Sequence, residues 1–199
     1  MKGILITLGT ILGSFVLIVL ILFSMVFGSY NRLIKEKQNG LTQSSQIETQ
    51  LQRRFDLVNQ MVGSTRGALR HEEKIFDDIA KQQAAFINAQ KSGNVQGELS
   101  ASDAMAGSVG ALFRGYMVVQ TQYPNEQALE FVRNLQTDIE GSENRISVAR
   151  QKYNEDVQVY NTDLQTFPTS VIAGFFNFKE LPRFQSSVKA LEAPVINLE

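Results

Sequence analysis

The chain has 199 residues, with 19 lysines and arginines against 20 aspartates and glutamates, so its net charge of −1 exerts no pull toward nucleic acid. Cysteine and tryptophan are absent and His71 is the one histidine, which excludes disulfides, thiolate nucleophiles and cysteine-type zinc or iron–sulfur sites together. The four prolines, at 124, 168, 182 and 194, all lie outside the long periodic segments, so the composition predicts long helices separated by loops.

The chain opens with residues 1–3 and then the nearly unbroken apolar run from Ile4 to Phe27. As a helix this run spans roughly 36 Å, enough to cross a hydrocarbon core of about 30 Å. Lys2 and the small Gly28 also fit a secretory signal peptide, but the apolar core of such a peptide is about 7–15 residues. Residues 4–28 are therefore expected to be an uncleaved single-pass anchor. Basic residues are heavier after the run, with Arg32, Lys35 and Lys37 against Lys2 before it. The positive-inside rule then puts residues 1–3 outside and the bulk of the chain on the cytoplasmic side of a bacterial inner membrane. Gly9 and Gly13 form a GxxxG pair, a spacing that lets two membrane helices approach.

Residues 29–184 are expected to form one helical domain, with a weakly ordered tail at 185–199. The first helix is predicted over about 29–90, frayed near Asn39-Gly40. Leu51, Phe55, Val58, Val62, Thr65, Leu69, Glu72, Phe76, Ile79, Gln83 and Phe86 alternate by four and three residues, a heptad seam. Lys91 to Asn94 reads as a turn. A second helix follows over about 98–122, rich in alanine, serine and glycine. Its Gly107, Gly110 and Gly115 point to close helix packing, with flexibility as the competing reading. Pro124 and Asn125 suit a helix start. The third helix, about 125–166, has a stripe from Ala128 to Tyr153 and Gly141 at mid-length as a candidate close crossing. Phe167-Pro168 ends it, and a short helix is expected over 169–176. The phenylalanine-rich stretch from Phe175 to Phe184 reads either as a flap over the bundle end or as a contact for membrane or partner.

Several stretches together are specific: Tyr30-Asn31-Arg32-Leu33; Gln52-Arg53-Arg54-Phe55-Asp56-Leu57-Val58; Gly67 with His71-Glu72; Glu140-Gly141-Ser142-Glu143-Asn144-Arg145-Ile146; Tyr153-Asn154; Tyr160-Asn161; and Phe167-Pro168. In this order, behind an N-terminal anchor, they resemble the LemA family of bacterial membrane-anchored helical proteins. The resemblance implies an antiparallel helical bundle on an anchor, without a settled activity. The chain departs from the family at Asn59-Gln60, where Pro-Asn is usual, and at Ala68-Leu69, where Tyr-Ala is usual. Losing that proline predicts a straighter first helix.

Chemistry is sparse. His71-Glu72 starts an HExxH pattern, but Ile75 stands where the second histidine is needed. No metal, cofactor or catalytic residue is assigned. Arg53, Arg54 and Asp56 on the first helix, and Glu140, Glu143, Asn144, Arg145 and Arg150 on the third, sit at mid-length. If the helices run antiparallel, Arg–carboxylate pairs between them fix register, or the same charges serve a subunit contact. Tyr153-Asn154 and Tyr160-Asn161, one heptad apart, suggest an aromatic ladder with polar tips.

The expected fold is all-α: a transmembrane helix followed by an elongated antiparallel bundle with coiled-coil-like packing. The expected function is a non-enzymatic, membrane-anchored scaffold that self-associates because a long first helix leaves apolar seam near residues 30–50 uncovered. A signalling or adaptor protein that relays to a protein partner is the alternative. Membrane lipid and further copies of the chain are the expected partners, with no nucleic acid.

Overall fold

The computed structural model describes residues 2–69, 71–122 and 124–184, without the side chains of residues 2–8 and 10. The expected tail at 185–199 lies outside the described residues. The fold is all-α: α1 (Lys2–Thr65), α2 (Glu73–Lys91), α3 (Val95–Gln122), α4 (Glu126–Gln165) and α5 (Thr169–Phe175).

One sequence expectation is corrected at once. The helix foreseen over 29–90 is two helices, α1 and α2, joined by a turn. Gly63 lies in the last turn of α1, where a glycine costs about 1 kcal/mol relative to alanine, and Gly67 lies in the turn itself. Thr65, fully buried, closes the end of α1 by bonding its Oγ1 to the Met61 carbonyl at 2.8 Å. Leu69 then plugs the turn from inside. Reversal is favoured because it lets the seam bury itself: Phe55 stacks on Phe86 at 5.0 Å, Gln83 donates to Asn59 and Gln90 to Gln52. The partners rise in number along α1 as they fall along α2, so the two helices are antiparallel.

The expected fraying at Asn39-Gly40 is absent, since α1 runs unbroken through both. It also continues through Asn59 and Gln60.

The chain divides into two compact units, each with its own core. One comprises Gln43–Tyr153 and Phe184. Within it Arg54 of α1 bonds Ser102 of α3, and Asp103 pairs with Arg150 of α4. With α2 reversed on α1, the four helices run up-down-up-down, the topology that short connections favour. Each helix supplies apolar side chains to a common core, among them Val58 and Met61, Ile79, Met105 and Leu112, and Leu135 and Ile139. The turns match their sequences. Gly93 has a left-handed φ of 65°, and Asn94 Oδ1 caps α3 by accepting from the Gly97 amide at 2.9 Å. Asn125 caps α4 in the same way through Ala128 N–H at 3.1 Å.

The reading of the small residues in α3 as close-packing sites holds only in part. An added Cβ meets Leu69 at Gly115, only the Arg114 guanidinium at Gly110, and nothing within 4 Å at Gly107. Gly141 likewise faces only Arg145 of its own helix, so it marks no crossing.

The other unit comprises Met1–Thr42 and Asn154–Arg183. Leu33, Tyr160 and Ala173 form its core, with Leu164, Phe178 and Leu181 packed around them. Gly40 is where this unit packs most tightly: a Cβ there meets Leu181 Cδ1 at 3.2 Å and Val157 Cγ2 at 3.6 Å. The seam near residues 30–50, expected to stand open for other subunits, is closed by the chain itself, with Leu33 and Ile47 both buried.

Candidate functional site

Two clusters of polar side chains stand out, one in each unit.

In the four-helix unit the focus is Arg54, only 4% exposed. Its Nη1 donates to Ser102 Oγ at 3.0 Å, and its Nη2 lies 3.5 Å from Glu143 Oε2. Beside it Arg150 Nη1 lies 3.8 Å from Asp103 Oδ2. Burial pulls the Arg54 guanidinium below its ordinary pKa, and the nearby Glu143 and Asp103 carboxylates push it back. Burial raises the Asp103 carboxyl, while Arg150 and Arg54 lower it. Alternating charges thus tie α1, α3 and α4 together around one buried cation.

Of the sequence candidates, the structure brings Arg54, Glu143 and Arg150 into this cluster. Arg53 is exposed, and so is Asp56, which accepts from Gln52 at 2.9 Å on its own helix. Glu140 is exposed and pairs with Gln136 one turn back, while Asn144 and Arg145 face solvent. Ser102 and Asp103 were not foreseen. They sit in the alanine- and serine-rich stretch of α3, where nothing in the spacing distinguishes them from their neighbours.

A second unforeseen group is Glu98, in the first turn of α3 and 2% exposed, with its Oε2 buried and without a hydrogen-bond partner. Burial raises its pKa, and the charge on Glu48 raises it further. A carboxyl so placed favours its protonated form.

In the other unit Arg32 binds Asp163 across α1 and α4, and also Glu36 at 2.9 Å along its own helix. Burial pushes the Glu36 carboxyl upward; Arg32 opposes the shift and the adjacent Asp163 adds to it. Below this triad the chain after α5 is clamped onto α4. Tyr160, fully buried, donates its hydroxyl to the Lys179 carbonyl at 3.0 Å. Asn161 donates to the Leu181 carbonyl at 2.9 Å and accepts from the Leu181 amide at 3.0 Å. That two-way bond completes an edge as a β-strand partner does, and explains why an asparagine stands there. In the four-helix unit, Tyr153 is buried with Phe184 4.4 Å from its ring, and Asn154 of the other unit is half-buried. Each Tyr–Asn pair thus has its own setting.

A Cβ added at Gly9 or Gly13 would meet none of the described side chains or other segments within 4 Å. The helix that carries them is, among the described residues, the one long and apolar enough to cross a membrane, and none of its apolar stretch is buried by the rest of the chain. Among the described residues no group of three or more histidine or acidic side chains is placed to hold a metal ion.

Comparison with known proteins gives the following. Residues 43–198 match the model of the LemA family. The chain is 24% identical to magnetosome protein MamQ 2 of Paramagnetospirillum magneticum over 186 residues, covering 84% of this chain and 68% of that protein. It is 23% identical to magnetosome protein MamQ of Magnetospirillum gryphiswaldense over 186 residues, with the same shares covered. It is 23% identical to protein LemA of Metamycoplasma hominis over 174 residues, covering 87% of this chain and 76% of that protein.

Proposed function

Because the chain belongs to the LemA family, we propose that it is a non-enzymatic scaffold, held in a bacterial cytoplasmic membrane by its N-terminal helix and self-associating there. The observation that carries this reading is α1 itself. One unbroken helix holds an apolar stretch that no described residue covers and, further on, side chains buried in both cores. Apolar surface of that extent left bare in water is strongly unfavourable, and lipid is the environment that relieves it. The basic residues Arg32, Lys35 and Lys37 just past the stretch support a cytoplasmic location for the helical domain.

Self-association is assigned to the anchor rather than to the seam, which the chain covers by itself. Gly9 and Gly13 present a face without neighbours among the described residues, and such faces let membrane helices meet closely. The likeness to magnetosome proteins MamQ is consistent with a membrane-associated helical protein. Light scattering of the full chain in mild detergent tests the reading. A protein mass at a multiple of 22.2 kDa is expected, and Gly13→Ile is expected to reduce it. A single-chain mass for the unaltered protein refutes self-association and leaves the adaptor reading, which pull-down of a distinct partner from native membranes then supports.

A further inference from the structure

The short helix α5 has two unlike faces. Thr169, Ile172 and Ala173 point inward, and Ala173 packs on Leu33 and Tyr160. Phe167 just before it, Val171 and Phe175 follow at intervals of four and are 79%, 64% and 83% exposed. Three large apolar side chains, Val171 and Phe175 one turn apart on α5 and Phe167 in the turn before it, are all bare and call for an occupant.

Contacts within the same unit say what that occupant is. Tyr30 lies three residues past Phe27, the last residue of the apolar run, or about 4.5 Å further along α1. Its ring stands 4.8 Å from Phe176 and 5.6 Å from Phe178. Phe175 in turn meets Phe176 edge-on at 5.1 Å. The end of α5 is therefore held at the level where α1 leaves its apolar stretch. Asp163 binds Arg32 and Val157 packs beside Gly40, so α4 runs antiparallel to this part of α1 and its end at Gln165, two residues before Phe167, approaches the same level. The exposed Lys35 and Lys179 supply positive charge next to this level, where anionic lipid headgroups sit. A second copy of the chain would need a matching groove, whereas a bilayer already surrounds the neighbouring helix.

We propose that the exposed Val171 and Phe175 of α5, with Phe167 in the turn before it, lie in the headgroup–acyl boundary of the membrane crossed by α1, as a second membrane contact beside the anchor. The inference rests on the anchor reading above, and its test separates the two. The chain has no tryptophan, so single substitutions report without background. Full-length Phe175→Trp, Phe23→Trp and Val159→Trp are each reconstituted in phosphatidylethanolamine–phosphatidylglycerol vesicles with and without brominated acyl chains. Val159, exposed on α4, lies about 9 Å before the end of that helix at Gln165 and serves as the solvent reference.

The expected result is a blue-shifted Phe175→Trp emission, quenched by bromine nearly as much as Phe23→Trp, with Val159→Trp unquenched. Quenching of Phe23→Trp alone overturns the α5 contact and leaves the anchor intact. A blue shift at Phe175→Trp without quenching means that protein covers the face, and also overturns it. No quenching at Phe23→Trp removes the anchor, and this inference with it.

Discussion

Arg54→Ala is the perturbation that best separates what the buried arginine does. Three contributions add or offset. The substitution removes two buried methylenes of the stem, about 0.8 kcal/mol each. It strips Ser102, itself buried, of its partner at 3.0 Å, and an unsatisfied buried hydroxyl costs about 1–3 kcal/mol. It also breaks the contact with Glu143 at 3.5 Å, but that carboxylate is 60% exposed and returns to water, so its loss is worth about 0–1 kcal/mol. Relief of the guanidinium's own desolvation offsets part of this. The net expectation is about 3 kcal/mol of lost stability, or a melting temperature lower by about 6–12 °C at this chain length. Circular dichroism melts of the full chain in mild detergent read it directly. Glu143→Ala is expected to cost under about 1 kcal/mol in the same assay. Arg54→Met, which keeps the stem but still strips Ser102 of its donor, should recover only about 1.6 kcal/mol and fall between Arg54→Ala and Glu143→Ala. If Glu143→Ala is as damaging as Arg54→Ala, the ion pair dominates and the buried stem and the Ser102 bond do not account for the loss.

The remaining predictions concern the buried carboxyl and the clamp. Glu98 has a raised pKa in the fold, so the stability it contributes is complete below the ordinary glutamate range and is lost as pH rises through the raised value. Glu98→Gln should therefore raise the melting temperature at pH 7 and lose that advantage toward about pH 4; an equal difference at both pH values contradicts the assignment. Asn161→Ala removes both hydrogen bonds to Leu181 and should loosen the 178–184 segment by about 1–3 kcal/mol. Hydrogen exchange at the Leu181 amide measures it, and unchanged protection sinks the clamp.

Much of this was legible in the sequence because helical periodicity and breakers are local signals. The all-α class, the apolar run, the turn at 91–94, the helix start at Asn125 and the family likeness are all written in short stretches. Misreadings arose where two rules competed. The heptad spacing runs through Thr65 and Leu69 without losing phase, so periodicity alone could not reveal that the chain reverses there; Gly63 and Gly67 were the available signal. The arginine–carboxylate clusters were visible as clusters, but which member turned inward depended on which face of α1 its neighbours covered.

By itself, then, the order of residues determined which segments are helical and which stretch suits lipid, since both follow from side-chain polarity along a fixed 3.6-residue period. Only the tertiary structure decided that α2 folds back on α1, closing the seam. It alone turned Arg54 inward and left Arg53 in water, and it buried Glu98 while leaving Phe175 bare. Burial is a property of a residue's neighbours from other helices, and no local pattern carries that information.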